Sequence, residues 1–176
     1  SYGKRITVSL LAKQKELVLD TETDQLDPIM AQVIGISLAF KAGEAYYITF
    51  DVVKNSPELT KILSEKKIAK VGQNIKYDLQ VLKNSNIELS PISFDTILAS
   101  YLLNAGTRQH GLDNLAFNLL GYQMQSIEEL IGKGKNQISM KDVDVEKVSW
   151  YAAEDADITL RIKEILEKQL KQENLE

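Results

Sequence analysis

The first half of the chain alternates between apolar and polar positions with the two-residue period of β-strands. Residues 33–40 place one set of side chains on each side of an extended chain, and residues 45–50 are rich in aromatic and β-branched residues. A shorter apolar run, 16–20, ends in an acid, and residues 41–44 supply a turn between the second and third runs. We therefore predict three strands over 16–20, 33–40 and 45–50.

Beyond residue 55 the apolar positions recur every three or four residues, which is typical of helices. Ser56 followed by Pro57 is a helix-start signal and predicts a helix to about residue 67. The remaining predicted elements are a strand over 68–71, a helix over 74–83, an extended piece over 92–94, and helices over 95–103, 112–120 and 145–172. The chain begins with strands, continues with alternating helices and strands, and ends with helices alone. This order indicates an α/β fold with a mixed sheet covered by helices.

Composition narrows the class of protein. With 176 residues, 44% of them hydrophobic, the chain suits one globular domain over 1–176, and no apolar run approaches the roughly 20 residues that cross a bilayer. Cysteine is absent, so disulfides and thiolate metal sites are excluded, which is typical of a cytoplasmic protein. We also expect the protein to be a monomer. The single histidine, His110, excludes multi-histidine zinc sites and is expected in a loop or at the surface. The net charge of −4 argues against strong autonomous binding of duplex DNA.

Two acidic segments carry the candidate chemistry. Asp20 and Glu22 are two residues apart on a strand, and Tyr151 and Asp155 are four apart on a helix, so each pair shares one face. If the two faces meet, carboxylates converge beside a phenol, and Asp78 on the 74–83 helix could join them. Such a cluster repels itself unless divalent cations neutralise it, and Mg²⁺ and Mn²⁺ prefer oxygen ligands. We predict metal-assisted chemistry on phosphate.

Taken singly, each of these residues also has an ordinary structural interpretation. Strand-end acids commonly cap helices, Asp78 could be a solvated helix residue, and Tyr151 with Asp155 could be a structural hydrogen-bonded pair. We expect Asp157 to be a helix-face residue rather than a fifth metal ligand, and Trp150 to be part of the core. The order and spacing of the acidic segments favour the functional interpretation.

That order resembles the three motifs of the DnaQ-like 3′–5′ exonucleases. Residues 18–24 read VLDTETD, 71–78 read VGQNIKYD, and 151–157 read YAAEDAD, the last in the tyrosine-containing form. From about residue 6 to 170 the chain is similar to the proofreading exonuclease domain of bacterial DNA polymerase I, with further matches at 24–27, 94–96 and 132–137. The resemblance implies a ribonuclease-H-like fold with a mixed, mostly five-stranded sheet flanked by helices.

The resemblance also implies an activity, which is release of 5′-mononucleotides from the 3′ end of single-stranded or frayed DNA. It implies that the domain is excised from a longer chain carrying a polymerase domain. Two divalent ions, Mg²⁺ or Mn²⁺, would be held by Asp20, Glu22, Asp78 and Asp155, and Tyr151 would orient the attacking water. The residues implied to contact the substrate are Leu26, as a wedge between terminal bases, and Thr23, Gln73, Asn74, Tyr77 and Arg108.

The chain departs from the family pattern at two places, and two rival functions remain open. Ile127 stands where a stacking phenylalanine is common, which removes a contact worth roughly 1–3 kcal/mol per base. The loop over 107–111 is one residue off the family spacing, which puts the reach of Arg108 to a phosphate in question. The rivals are an RNA-trimming exonuclease in the manner of RNase D, and a catalytically silent structural module of a polymerase.

Overall fold

The computed structural model describes residues 6–176, so residues 1–5 of the predicted 1–176 domain lie outside the described part. Its sheet has five strands in the order β3-β2-β1-β4-β5. The strands are β1 (Glu16–Thr23), β2 (Val33–Lys41), β3 (Glu44–Thr49), β4 (Ala69–Gly72) and β5 (Ile92–Asp95). The first three form an antiparallel meander, and β4 and β5 run parallel to β1. The predicted mixed five-stranded sheet is confirmed.

Eight α-helices surround this sheet in the described residues: α1 (Val8–Leu11), α2 (Phe50–Lys54), α3 (Pro57–Leu63), α4 (Ile75–Asn84), α5 (Thr96–Leu103), α6 (Leu112–Leu115), α7 (Ile127–Ile131) and α8 (Val145–Glu173). A π-helical turn (Ala116–Leu120) continues α6, and short 3₁₀ turns occupy Gly134–Asn136 and Met140–Asp142. Over residues 6–176 none of these helices combines the length and apolar character needed to span a membrane.

The two faces of the sheet are covered by different helices. On one face α1 to α4 bury a large aliphatic core that includes Leu19 and Leu38. On the other face the long helix α8 packs the small residues Ala153 and Ala156 against Val18, Ala39 and Ala45. Because the side chains at this contact are small, α8 and the sheet approach closely. This close packing fixes the position of the side chains on α8 relative to the strands. Helix α5 and the 116–120 turn cover the outer side of α8.

Some predicted boundaries were wrong. Ser56 caps α3 as predicted, because its Oγ accepts the Leu59 N–H, but the helix ends at Leu63 rather than near residue 67. The buried ammonium of Lys70 donates to the carbonyl oxygens of Glu65 and Ile68 and to Ser90 O. These bonds hold the segment after α3 in a turn that leads into β4, so the helix cannot continue.

Three further differences come from local chemistry that the periodicity did not reveal. Phe50 begins α2 instead of ending β3, and its ring packs on the aliphatic core. The predicted 112–120 helix divides into α6 and the π-helical turn. Helix α7 was not predicted, although its signal is present: Ser126 and Glu129 form a reciprocal capping box.

Candidate active site

A cleft of about 880 Å³ opens where the carboxyl ends of the parallel strands β1 and β4 meet. Open α/β sheets place their sites at this edge, because the chain leaves each strand there and the loops diverge. The floor is the end of β1, one side is the start of α4, and the other side is α8. The residue predicted as water-orienting and the four acids all line this cleft, at positions 20, 22, 78, 151 and 155.

Asp20, Glu22 and Asp155 form the tightest group of acids. Each offers a carboxylate oxygen, and these three oxygens lie within 4.8 Å of one another. Alternation along β1 sends Asp20 and Glu22 to the face that α8 covers. Asp155 reaches them because its helical neighbours Ala153 and Ala156 are small and buried against the strands. The predicted convergence of strand acids and helix acid is therefore present in the structure.

Asp78 lies across the cleft and stands outside this closest trio. It sits in the first turn of α4, and its Oδ1 accepts hydrogen bonds from the Thr21 backbone N–H at 2.9 Å and from Thr21 Oγ1 at 2.6 Å. Asp78 is 2% exposed, so the interpretation of it as a solvated helix residue is wrong. Thr21 was missed as a site residue; its position between Asp20 and Glu22 in the motif is the only signal the sequence carries.

Burial and mutual repulsion make these carboxylates unusually hard to ionise. Burial raises the pKa of Asp20 to about 7. Burial, then the charges of Asp20, Asp155 and Asp78, raises the pKa of Glu22 well above its usual range. The pKa of Asp155 is raised by burial and by the charge of Asp20, and a hydrogen bond from the Tyr151 hydroxyl acts in the opposite direction. Asp78 has its pKa raised by burial and by Asp20, partly offset by the bonds from Thr21.

Tyr151 remains a neutral phenol at this site. Burial, followed by the charges of Asp155, Glu22 and Asp20, raises the pKa of its hydroxyl above the usual value of 10. A phenol held protonated can donate one hydrogen bond and accept another, and it cannot serve as a base near neutral pH. Its position in the cleft suits orientation of a small polar molecule such as water.

The donor set fits a hard divalent cation. All side-chain ligand atoms of the trio are carboxylate oxygens, the type that Mg²⁺ and Mn²⁺ prefer. Glu22 Oε1 is fully buried and, within residues 6–176, accepts no hydrogen bond. An unsatisfied buried carboxylate oxygen costs free energy unless a cation binds it.

Two predicted substrate residues hold a loop of the protein in place. Thr23 Oγ1 and the Tyr77 hydroxyl oxygen lie 2.7 Å apart, and the carbonyl oxygen of Gln25 is 2.9 Å from the first and 3.0 Å from the second. Because each hydroxyl has one proton, one of them donates to the Gln25 carbonyl while the other donates either to that carbonyl or to its neighbour. This arrangement ties the end of β1 to α4 and presents the next residue, Leu26, at the rim of the cleft. Leu26 is 87% exposed, so an apolar side chain stands in water beside the acids.

Gln73 and Asn74 line the cleft from the β4–α4 connection. Gln73 Nε2 donates to His110 O at 2.8 Å and its Oε1 accepts from the Thr96 hydroxyl, so both ends of the amide contact protein. Asn74 adopts a left-handed conformation with φ of 56° and exposes its side chain. Asp95, which was not predicted as a site residue, accepts the backbone N–H groups that begin α4.

The 107–111 loop differs from expectation at its histidine. Arg108 is exposed on this loop, and the described residues that line the cleft do not include it. His110 lies in this loop, one of its two expected positions, but it is not at the surface: it is 2% exposed, with Nδ1 2.7 Å from Ser100 Oγ and Nε2 2.9 Å from Thr107 O. Ile127 lines the cleft, where it forms part of an apolar wall with Leu112.

Two further expectations concern Trp150, just before the third motif, and Asp157 within it, and the first of them is wrong. Trp150, expected in the core, is 44% exposed. Asp157, expected on a helix face rather than as a fifth metal ligand, lies on α8; it is fully buried and accepts from Arg161 and from the Gly43 N–H. It lies outside the acidic trio.

A ribonuclease-H-like sheet whose central strand and last helix bring carboxylates together defines a nuclease, a hydrolase of phosphodiesters. The chain belongs to the 3′–5′ exonuclease domain family of bacterial DNA polymerase I: the family model described as "3'-5' exonuclease" matches residues 4–171.

Known proteins support the same family and fold. DNA polymerase I of Pseudomonas aeruginosa is 37% identical over 175 residues, an alignment that covers 91% of this chain and 19% of the polymerase, so the chain spans about a fifth of this relative. The structure of Brucella melitensis NrnC with bound Mg²⁺ is 26% identical, with a TM-score of 0.76 over 93% of this chain and 77% of that one. Escherichia coli RNase D, an exoribonuclease involved in structured RNA processing, shares the fold at 19% identity and a TM-score of 0.73, over 94% and 42% of the two chains.

Proposed function

We propose that this domain is a metal-dependent 3′–5′ exonuclease that removes 5′-mononucleotides from single-stranded or frayed DNA, and that it proofreads for a family A DNA polymerase. The observation that carries the proposal is the trio Asp20, Glu22 and Asp155, one buried and two half-buried residues whose carboxylate oxygens lie within 4.8 Å of one another and whose pKa values are raised. Buried acids that repel one another are retained where an external cation compensates them.

The acids and the tyrosine have separate roles in the proposed reaction. Asp20, Glu22 and Asp155, with Asp78 facing them, would hold two divalent ions, Mg²⁺ or Mn²⁺. Such ions increase the acidity of water and neutralise the charge that develops on the phosphate and on the leaving 3′-oxygen. The neutral hydroxyl of Tyr151 orients the attacking water through a hydrogen bond, which lowers the entropic cost of the attack.

The rim of the cleft suits a strand end without a fixed sequence. The exposed side chain of Leu26 would separate the terminal base from its neighbour, and Asn74 and the Thr23–Tyr77 pair would contact sugar and phosphate. Because a mismatched end unstacks at lower cost, it enters the cleft more often, which would give preference for mispaired termini. Gln73 would act through the 107–111 loop, since both ends of its amide contact protein. Arg108 would need to move to reach the strand.

DNA is the proposed substrate because the relatives that match most of this chain are DNA polymerases. A polymerase domain in the same longer chain is the proposed partner, and it would deliver the 3′ end. The rival is RNA trimming, supported by the fold that this chain shares with RNase D.

The deciding experiment compares single-stranded DNA and RNA of one sequence, labelled at the 5′ end, with Mg²⁺ or with chelator. We expect the DNA to shorten one nucleotide at a time from its 3′ end, only with metal, and faster than the RNA. Faster shortening of RNA supports the rival. No shortening of either strand, together with no binding of Mn²⁺, supports a silent structural module.

A further inference from the structure

The ring of Tyr47 occupies the space above Gly35. A Cβ atom built on Gly35 would lie 2.2 Å from the Tyr47 hydroxyl oxygen and 2.3 Å from Cζ, far inside van der Waals contact. Gly35 is not among the glycines with positive φ, so its backbone conformation does not require glycine. The side chain is absent here because the tyrosine ring fills its place.

The register of the meander directs this ring toward the acidic trio. Gly35 pairs with Glu22 across β1 and β2, while Ser37 pairs with Tyr47 on one side and with Asp20 on the other. Paired residues share a face of the sheet, so Tyr47 projects from the same face as Asp20 and Glu22. Its ring leans diagonally from the Ser37 row onto the Gly35 row, which is the row of Glu22. In agreement, burial and then the charge of Glu22 raise the pKa of Tyr47 to about 12.

The ring also stands between Glu22 and a second groove. This groove, of about 720 Å³, is lined by Tyr47 together with Val145 and Val148 from the start of α8. Glu22 does not line it and is only 7% exposed. Since Glu22 Oε1 accepts no hydrogen bond within residues 6–176, packing is left to fix the direction of this carboxylate group. On the side of β3, the bulky group that can fix the direction of the Glu22 carboxylate is the Tyr47 ring.

We infer that Tyr47 is a positioning residue, whose ring, admitted by Gly35, keeps the Glu22 carboxylate turned toward Asp20 and Asp155 and shields it from the second groove. The inference rests on the proposed function. The ring rather than the hydroxyl group carries the effect, because the one hydrogen bond that the hydroxyl makes among residues 6–176, to Ile34 O, is long at 3.4 Å. Groups that orient metal ligands commonly change metal affinity by 10- to 100-fold when removed.

The test compares Tyr47→Ala, Tyr47→Phe and the matched control Tyr46→Ala. Tyr46 is the preceding residue of β3, is 5% exposed, and packs on the opposite face in a stack with Phe40. Calorimetry measures Mn²⁺ binding to the chelator-treated domain, and oligonucleotide hydrolysis gives kcat and KM at increasing Mn²⁺ concentration. We expect Tyr47→Ala to weaken Mn²⁺ binding about tenfold or more, with kcat recovering at high Mn²⁺ and KM for the strand unchanged. Tyr47→Phe should stay within about twofold of the wild type, since the ring remains.

The control and a second variant separate positioning from general stability. Tyr46→Ala removes as large a buried ring, so it should lower the unfolding temperature but leave Mn²⁺ affinity unchanged. Gly35→Ala, which displaces the Tyr47 ring without deleting it, should weaken Mn²⁺ binding in the same direction. Wild-type affinity in both Tyr47→Ala and Gly35→Ala, or an equal loss in Tyr46→Ala, would overturn the inference while the proposed function stands. A wild-type domain that neither binds Mn²⁺ nor hydrolyses a strand would overturn both.

Discussion

Helix α8 carries three acids within four residues, and their surroundings differ sharply. Glu154 accepts from the Tyr122 hydroxyl at 2.7 Å and from the Gln125 N–H at 2.9 Å. Asp157 is bound by Arg161 at 2.7 Å and by the Gly43 N–H. Asp155, between them, faces two further carboxylates and a phenol. Hydrogen-bond donors of the same chain compensate the charges of Glu154 and Asp157. Asp155 is instead repelled by the carboxylates of Asp20 and Glu22.

This contrast indicates which acids serve the fold and which serve a ligand. A buried acid with internal donors stabilises the loops that it binds, and its loss leaves those donors unsatisfied. A buried acid among other acids destabilises the empty protein, so its loss should relieve strain while removing function. Substitutions at positions 20, 151, 155 and 157 test this difference between the acids.

The largest effect is expected for Asp155→Asn, which removes one charge from the trio but keeps its shape. Hydrolysis of a single-stranded oligonucleotide with Mg²⁺ should fall by about 10³-fold or more, because several kcal/mol of transition-state stabilisation depend on bound metal. The circular dichroism spectrum should be unchanged. Asp157→Asn is the matched control. At a temperature where this variant is folded, its rate of hydrolysis should stay within about tenfold of the wild-type rate. Equal loss in both variants would contradict the comparison.

The second effect concerns stability at the compensated acid. Asp157→Ala leaves Arg161 and the Gly43 N–H without this partner, and should lower the free energy of unfolding by about 2–4 kcal/mol. Urea unfolding monitored by circular dichroism measures the change, and Mn²⁺ affinity should not move. A stability equal to that of the wild type would show that Asp157 is not structural.

The third effect is the pH dependence of the metal-free protein. The folded pKa of Asp20, about 7, lies above its ordinary value of 3.8, so between these values the folded state binds more protons. Stability from this group is therefore present below pH 3.8 and lost as pH rises toward 7. In chelator, Asp20→Asn should be more stable than the wild type at pH 7.5 by about 4 kcal/mol, and by less at pH 5. A gain in stability that is larger at pH 5 would contradict the predicted shift.

The smallest effect is expected for Tyr151→Phe. Loss of one hydrogen bond to the attacking water should lower kcat about tenfold, while Mn²⁺ affinity measured by calorimetry stays within about twofold. A changed metal affinity with an unchanged kcat would assign the hydroxyl to support of Asp155 instead.

Local patterns predicted the elements that carry the acids. Alternation placed Asp20 and Glu22 on one face of a strand, and helical spacing placed Tyr151 and Asp155 together. Contacts between distant segments could not be predicted this way. The bonds from Thr21 to Asp78 and the fit of Tyr47 over Gly35 depend on how sheet and helices pack, which no local pattern encodes.

The burial of polar residues was the weakest part of the prediction. The sequence patterns predicted a loop or surface position for His110 and a helix face for Asp157, but not that either is buried. Both are buried because specific partners satisfy them: Ser100 and Thr107 O for the ring, Arg161 for the acid. A polar residue is buried when its donors and acceptors find partners, and those partners are 3 to 10 residues away or on another element. Trp150 shows the converse, since a large apolar ring is left half exposed on a helix whose buried side is already filled.

Under the proposed function, the acids that the chain leaves uncompensated bind divalent metal. Anomalous diffraction from crystals of the domain soaked in Mn²⁺ tests it most directly, because the signal locates the ion independently of activity. We predict a strong peak among the carboxylates of Asp20, Glu22 and Asp155 and none at Asp157. The Mn²⁺ concentration in the soak should be at least the one that supports hydrolysis in solution. A map without a peak among those three carboxylates under this condition would contradict metal binding by these acids.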